Sequence, residues 1–476
     1  MISLTLAEIA KATAGQVINC EHRETVFNNI STDTRHIQAG DLFIALRGEF
    51  YDAHQFLEKA VQQGAGALLI EQKTGIDLPC ILVKDTRIAL GLLASYVRLQ
   101  ISGLKCAAIT GSNGKTTTKE LLSAILCSHT GDNETVLATA GNFNNDIGLP
   151  LTLLRLSEQV RYAVVELGAN HLGEISYTAQ LAKPDVALIN NVMPAHLEGF
   201  GSLQGVAQAK GEIWSSLGEA GIAVVNLDAD FASEYLTQLE KLNRQVFTFS
   251  SEGKKAHVYA SNIAFSPLGK ASFQLDVTLD MNPRVISIQL NLAGLHNVSN
   301  ALAAATMAIA LGCSLKEIQT GLSSVKQVNG RVDSRQINEF VTLIDDTYNA
   351  NPASVEVAID LLQQYSTARL LILGDMAELG EFSEHEHLLI GEYAAHKGIE
   401  KLITVGKLSA KIHQAFKQAG NAEALHFADK KQVNAYLKDL LLVQKNKLTI
   451  LVKGSRGSKM EEVVNFIKQA ENKFCA

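Results

Sequence analysis

The chain has 476 residues, and at about 150 residues per domain that length predicts roughly three domains rather than one core. Lys+Arg 42 against Asp+Glu 49 leave a net charge of -7, and 47% of residues are apolar. This excludes a disordered or collagen-like chain and leaves no global positive field to hold a nucleic-acid duplex. The six cysteines (Cys20, Cys80, Cys106, Cys127, Cys313, Cys475) show no CxxC spacing, so neither a zinc cluster nor a disulfide framework is expected, and they read as reduced, mostly buried thiols. The opening stretch MISLTLAEIAKATAG puts Glu8 and Lys11 where a secretory segment needs continuous apolar residues, and reads as a short amphipathic helix. The longest apolar run, Ala301 to Gly312, is too short to span a bilayer. A cytoplasmic protein without membrane insertion is expected.

Up to about residue 85 the pattern is rich in strands and turns: STDTR at 31–35, GDLFIALRG at 40–48, a helix over 54–64 and a strand at 67–71. This predicts a small α/β domain, 1–85. From Lys105 a strand runs into GSNGKTTT, and Leu121, Leu122, Ile125 and Leu126 then share one helical face. Apolar runs at 163–167, 186–192 and 222–228 read as further buried strands, with helices between them, which argues a mostly parallel sheet covered on both faces. Between about 245 and 293 the pattern alternates, as in FQLDVTL and VISIQLNL, and reads as an antiparallel β insertion, ending at the apolar helix that follows GLHNVSN. These segments form a second domain, 86–324. Strand runs at 341–345, 370–374, 401–406 and 448–454, each followed by a helical stretch, predict a third, Rossmann-like domain over 325–476.

The strongest chemical signal is Thr110-Gly111-Ser112-Asn113-Gly114-Lys115-Thr116-Thr117, between a strand and a helix. Its glycines let backbone N–H groups turn toward phosphate oxygens at a helix N-terminus, Lys115 can reach the β/γ-phosphates, and the Thr116 hydroxyl can hold Mg²⁺. ATP is the expected ligand. The usual pattern needs a glycine at 109, where this chain has Ile109, so the loop is a variant. Metal ligands should lie at the carboxyl ends of neighbouring strands, where Glu166 and His196 fall. Lys210 is ambiguous, since a helical lysine is normally a solvated or salt-bridged surface group. His296, Asn297 and Asn300 read equally as caps of the helix they precede. Asp345 to Pro352 (DDTYNANP) sits at a strand end, and Arg331 falls near a hinge.

TGSNGKTTT, ELGANHLGEI, NNVMPAHLEGFGS with AKGEI, GLHNVSNALAA, NGR and DDTYNANP occur in that order, and the chain resembles the Mur ligase superfamily of ATP-dependent amide-forming enzymes over nearly its whole length. STDTR, GDLFIALRG, LGDMAELGEFSEHEH and VKGSRGSKMEEVV resemble the member that adds D-alanyl-D-alanine to UDP-N-acetylmuramoyl-tripeptide. The resemblance implies a phosphate loop over Gly111 to Thr117 and magnesium ligands at Thr116, Glu166 and His196. It also implies a carbamylated Lys210 near a second Mg²⁺. Asn297 and Asn300 match an adenine-side motif, Arg331 a γ-phosphate arginine and Asp346 an acid near the ribose. Thr32, Asp33, Thr34, Arg35, Arg47 and Gly48 match the segment that holds the uridine diphosphate end, although Arg35 could instead pair with Asp33 or Asp41. Ala53 replaces a glycine often found at its position.

The implied chemistry is carboxylate activation by γ-phosphoryl transfer, then attack of the dipeptide amine on the acyl phosphate, with Lys115, Lys210, His196 and Arg331 as the catalytic set and closure of the domains excluding water. Two relatives compete: the sister ligase adding the third amino acid, whose Asp-Asn-Pro-Arg pattern is missing from the last domain here, and a folylpolyglutamate synthetase, which would lack the first 85 residues. A nucleotide switch without catalysis would need no Glu166, His196 and Lys210 set. A monomer is expected.

Overall fold

The computed structural model describes residues 1–20, 23–48, 51–194, 197–279, 283–326, 330–420 and 423–470. The first helix, Leu6–Ala12, is set by a capping box: Glu8 N donates to Thr5 Oγ1 at 3.2 Å and Thr5 N donates to Glu8 Oε2 at 2.7 Å. A five-stranded sheet follows, in the order 16–18, 80–82, 67–70, 42–44, 30–31, parallel except for its first pair. The helix expected over 54–64 is shorter than its pattern. Asp52 caps a 3₁₀ turn, Ala53–Phe56, and only Leu57–Gln62 is α-helical. The helix Thr86–Gln100, capped by Asp85, packs against both Leu6–Ala12 and the helices Gly148–Leu153 and Glu174–Ala182, and one continuous apolar core joins the N-terminal and central units.

The central sheet has nine strands in the order 284–293, 270–277, 258–265, 245–250, 222–226, 186–189, 105–110, 162–166, 136–138. Its middle strands are Val-, Ile- and Ala-rich and buried beyond their first residues, Lys105 and Ile222, because helices cover both faces. The alternating region at 245–293 is not wholly antiparallel: Gln245–Ser250 runs parallel to Ile222–Asn226, and only the last three strands form antiparallel pairs. Alternation there marks strands with one covered face, not their direction. These strands extend the central sheet instead of forming a separate unit. The strand read over 186–192 stops at Ile189, which leaves Asn190, Asn191 and Val192 to form a loop.

The third sheet has six strands in the order 333–336, 341–346, 448–453, 368–374, 401–405, 423–427, antiparallel only in its first pair. Tyr365 ties this domain to the central one: its hydroxyl donates to the Leu268 carbonyl at 3.1 Å and shares a 2.9 Å bond with Ser334 Oγ. Cys80, Cys106 and Cys313 are buried thiols, and burial pushes Cys106 up to about 12. No helix among the described residues is long and apolar enough to cross a membrane.

Candidate active site

The strand Lys105–Thr110 ends in the glycine loop, and the helix Lys115–Thr130 begins with Gly114 at its N-cap, φ +78°. A Cβ at Gly114 would lie 2.4 Å from Asn300 Oδ1 and 2.5 Å from Asn190 Nδ2, so backbone conformation and space both demand glycine there. The loop beyond Ile189 holds this turn in shape. Asn113 N donates to Asn191 Oδ1 at 2.8 Å, Asn190 Nδ2 donates to the Asn113 carbonyl at 2.9 Å, and Ser112 exchanges hydrogen bonds of 2.9 Å with the Met193 backbone. Sequence reasoning missed these residues by reading them as strand. The available signal was a pair of asparagines directly after a strand adjacent to that of the phosphate loop.

Lys115 folds back on its own loop, with Nζ donating to the carbonyls of Gly111 at 2.6 Å and Ser112 at 3.2 Å. Burial lowers its pKa to about 8, against the pull of the nearby Glu166 carboxylate. Thr116 Oγ1 is the meeting point of the site. It lies 3.2 Å from Glu166 Oε2 and accepts a 3.0 Å bond from Arg331 Nη2, which arrives from the third domain. Glu166 is 1% exposed, and among the described residues its Oε1 has no hydrogen-bond partner, with Lys119 Nζ 3.8 Å away. Arg331 Nε is likewise buried without one. Thr117 is buried in the helix's first turn.

Lys210 is buried at the end of the helix Leu203–Gly211, with Nζ 5.9 Å from the Phe200 ring centre. Desolvation, helped by the Lys115 charge, lowers its pKa well below the usual lysine value and favours the neutral amine. His196 lies outside the described residues.

Asn297 and Asn300 are not caps, because Gly294 takes that position of the helix Leu295–Ala310. Both are buried. Asn300 Oδ1 accepts from Asn190 Nδ2 at 3.0 Å and from Thr118 Oγ1 at 3.3 Å, and its amide donates to Asn297 Oδ1 at 3.1 Å, so the pair braces the phosphate loop from behind. Burial pushes the neighbouring His296 down to about 4 and holds it neutral. Asp346 is bound to the buried Lys453 at 2.6 Å, and Lys453 Nζ also donates to the Asn349 carbonyl at 2.9 Å. The Arg331 guanidinium stacks 4.0 Å over the Tyr348 ring. Asn351 caps the helix Pro352–Gln363 and donates from Nδ2 to Asn113 Oδ1 at 2.9 Å, a second bond between the domains.

The N-terminal candidates have a different character. Arg35 grips Asp33, with Nη2 to Oδ2 at 2.5 Å and Nε to Oδ1 at 3.0 Å, while its side chain stays 76% exposed. This pairing holds the Asp33 carboxyl well below the usual carboxylate range. Arg47 pairs with Asp52 at 2.9 Å and lies 3.5 Å from Glu71. Gly48 N donates to the Tyr51 carbonyl at 2.7 Å, and Thr32 and Thr34 flank Asp33 in its turn.

A glycine phosphate loop whose threonine is reached by a carboxylate of its own domain and an arginine of the next describes a nucleotide-handling enzyme assembled from more than one domain. Residues 109–308 match the Mur ligase middle domain, and 330–456 match the Mur ligase glutamate ligase domain. The chain is 44% identical to the UDP-N-acetylmuramoyl-tripeptide--D-alanyl-D-alanine ligase of Escherichia coli K12, over 100% of both chains. It is 35% identical to the Bacillus subtilis enzyme of that name, over 98% of each. Among solved structures it is similar to MurF from Acinetobacter baumannii, with TM-score 0.90 and 36% identity over 98% of this chain and 99% of that one. MurF from Thermotoga maritima, in complex with ADP, matches with TM-score 0.80 and 27% identity over 94% and 98%. The chain belongs to the Mur ligase family.

Proposed function

We infer that this chain joins D-alanyl-D-alanine to UDP-N-acetylmuramoyl-tripeptide, the ligation its full-length relatives are named for, with conversion of ATP to ADP and phosphate. The observation that carries the chemistry is the pair of buried orphan atoms beside Thr116: an acceptor, Glu166 Oε1, and a donor, Arg331 Nε. A buried polar atom without a partner costs about 1–3 kcal/mol, so each is suited to a group that arrives with the nucleotide. A cation answers the carboxylate and a phosphate oxygen answers the guanidinium.

Hard oxygen donors at Thr116 and Glu166 fit Mg²⁺, and these residues, with His196, would hold one ion, while a carbamylated Lys210 would approach a second. When bound it supplies neutralisation of phosphate charge. The neutral amine favoured at Lys210 is the form that reacts with CO₂, which supports the carbamate. Lys115 must leave its loop carbonyls to reach the β/γ-phosphates, and Arg331 adds a donor from the third domain. Together they stabilise charge on the phosphoryl group as it moves to the substrate carboxylate, which gives an acyl phosphate with a good leaving group. Attack by the dipeptide amine then forms the amide and releases phosphate. The bonds Arg331–Thr116 and Asn351–Asn113 draw the domains together, and closure of this kind keeps water from the acyl phosphate. Asn297, Asn300 and Asp346 serve the nucleoside side, and Thr32, Asp33, Thr34, Arg35, Arg47 and Gly48 hold the uridine diphosphate. All the parts lie on one chain, which favours a monomer, and the nucleotide substrates favour a cytoplasmic location.

The test is phosphate release with each substrate omitted in turn, together with the mass of the product. Release that depends on both the tripeptide nucleotide and the dipeptide, with a product heavier by one D-alanyl-D-alanine less water, is expected. Release with nucleotide and ATP alone at the full rate would refute the reading.

A further inference from the structure

The far end of the phosphate-loop helix carries a second cluster of polar side chains. His129, in the last turn of Lys115–Thr130, meets Glu317 of the helix Leu315–Ser324, with Nδ1 3.1 Å from Oε2. Cys313, in the turn between Leu295–Ala310 and Leu315–Ser324, completes the group, and the imidazole nitrogen, the sulfur and the carboxylate oxygen all lie within 4.8 Å of one another. The cluster stands apart from the nucleotide site, since from Lys115 to His129 the helix climbs about 21 Å at 1.5 Å per residue. Cysteine spacing could not reveal it, because residues 129 and 313 meet only when these helices pack. The backbone around the group is fixed. A Cβ at Gly321 would lie 2.4 Å from Ile125 Cα, so glycine lets the two helices touch backbone to backbone, and His129 and Glu317 stand one turn beyond that contact on each helix. Glu317 also closes a capping box, accepting from Ser314 N at 2.6 Å, and Cys313 N donates to the Ala308 carbonyl at 2.9 Å. The Tyr162 ring lies edge-on to the His129 imidazole, with 5.8 Å between centres.

An ion pair that braces two helices accounts for the imidazole and the carboxylate, but it leaves no role for a sulfur beside them. Imidazole, thiolate and carboxylate together are a donor set that suits Zn²⁺ and not Mg²⁺. Zn–N and Zn–O bonds of about 2.0–2.2 Å at a tetrahedral angle set their ligand atoms about 3.4 Å apart, near the 3.1 Å between His129 and Glu317, and small side-chain rotations close the remaining gap to the sulfur. Burial, with the Glu317 charge, pushes the Cys313 thiol up to about 12, and a bound cation displaces its proton to water. Cys313 is buried, whereas His129 and Glu317 are half-buried and leave an entry path. We propose that His129, Cys313 and Glu317 form a Zn²⁺ site, with water in the fourth position, that pins the phosphate-loop helix to the turn at 311–314. The site does not depend on the ligase reading.

The test is titration of the EDTA-treated full chain with Zn²⁺ and, in parallel, with Co²⁺, beside the variants Cys313→Ser and His129→Asn. Zn²⁺ at a hundredfold excess over its Kd should raise Tm by about 2–5 °C. Co²⁺ should give a thiolate-to-metal charge-transfer band that added Zn²⁺ removes. Co²⁺ on the oxygen donors of Thr116 and Glu166 gives no such band, so the two sites are told apart. Either substitution should weaken Zn²⁺ binding by more than about 100-fold, since losing even an outer partner of a metal ligand costs about 10- to 100-fold. Ligation with Mg²⁺ as the only added cation should be unchanged in Cys313→Ser. A purely structural His129–Glu317 pair predicts instead a lower metal-free Tm in His129→Asn and no response to Zn²⁺ in any of the three proteins. That result, the absence of a thiolate band from the unaltered chain, or a band that survives Cys313→Ser would overturn the site.

Discussion

The phosphate loop and the N-terminal arginine turn, both proposed to meet phosphates, are built in opposite ways. Around Gly114 the side chains of Asn190, Asn191, Asn300 and Thr118 are tied into a largely buried network that fixes the loop before any ligand arrives. Around Arg35 and Arg47 the cations are exposed and held mainly by their own neighbours Asp33 and Asp52, with Glu71 3.5 Å from Arg47. Buried networks give precision but cannot yield without cost, whereas exposed ion pairs are worth little and exchange partners readily. The difference suits the two proposed tasks: a reacting end would need fixed geometry, and a remote end would need grip.

The largest effect is expected at Lys115. Lys115→Ala should lower kcat by at least about a hundredfold, since its charge is needed as the phosphoryl group moves. It should not lower Tm at pH 7, because the fold carries a desolvated ammonium there. The sign follows from the lowered pKa: between about 8 and the unfolded value of 10.5 the unfolded chain binds more protons, so this group's penalty is present below pH 8 and fades as pH rises. Thermal melts of both proteins at pH 7 and 9.5 should therefore converge, and a variant that melts lower at pH 7 would deny the desolvation account. Lys210→Ala comes next. It should be nearly inactive and be partly rescued by a small added carboxylate, and wild-type turnover in that variant would remove the carbamate.

Gly114→Ala asks whether the loop is as unyielding as its network suggests. Left-handed strain and the clash with Asn300 predict about 1–3 kcal/mol of lost stability and weakened ATP binding, measurable by denaturant melts and nucleotide titration. Arg35→Ala is the mildest. With an exposed pair lost, Tm should hold, while KM for the tripeptide nucleotide rises about tenfold and KM for ATP does not. A raised ATP KM would erase the contrast between the two regions.

The phosphate loop was legible because its chemistry is local: eight consecutive residues between a strand and a helix spell it out. Glu166 was legible as the last residue of a buried strand. The resemblance supplied Lys210 and Arg331, since neither a buried helical lysine nor an arginine crossing from another domain leaves a periodic trace. Asn190 and Asn191 were lost to an apolar run that looked longer as a strand than it is. In the fold, the alternation of FQLDVTL and VISIQLNL belongs to the antiparallel strands, and Gln245–Ser250, which shows no such alternation in its burial, runs parallel to its neighbour.

Tyr365 gives the third domain a point of attachment at the 266–269 turn, far along the chain from the phosphate loop. With the bonds Arg331–Thr116 and Asn351–Asn113 elsewhere on the seam, the tyrosine can serve as the fulcrum of a lever. Rotation that barely disturbs the tyrosine's hydrogen bonds would sweep Arg331 and Asn351 through a longer arc, so a change too small to notice at the attachment can open or shut the seam. Substitutions at Tyr365 or Ser334 would loosen that fulcrum and blur the timing of the reaction without touching a single reacting atom.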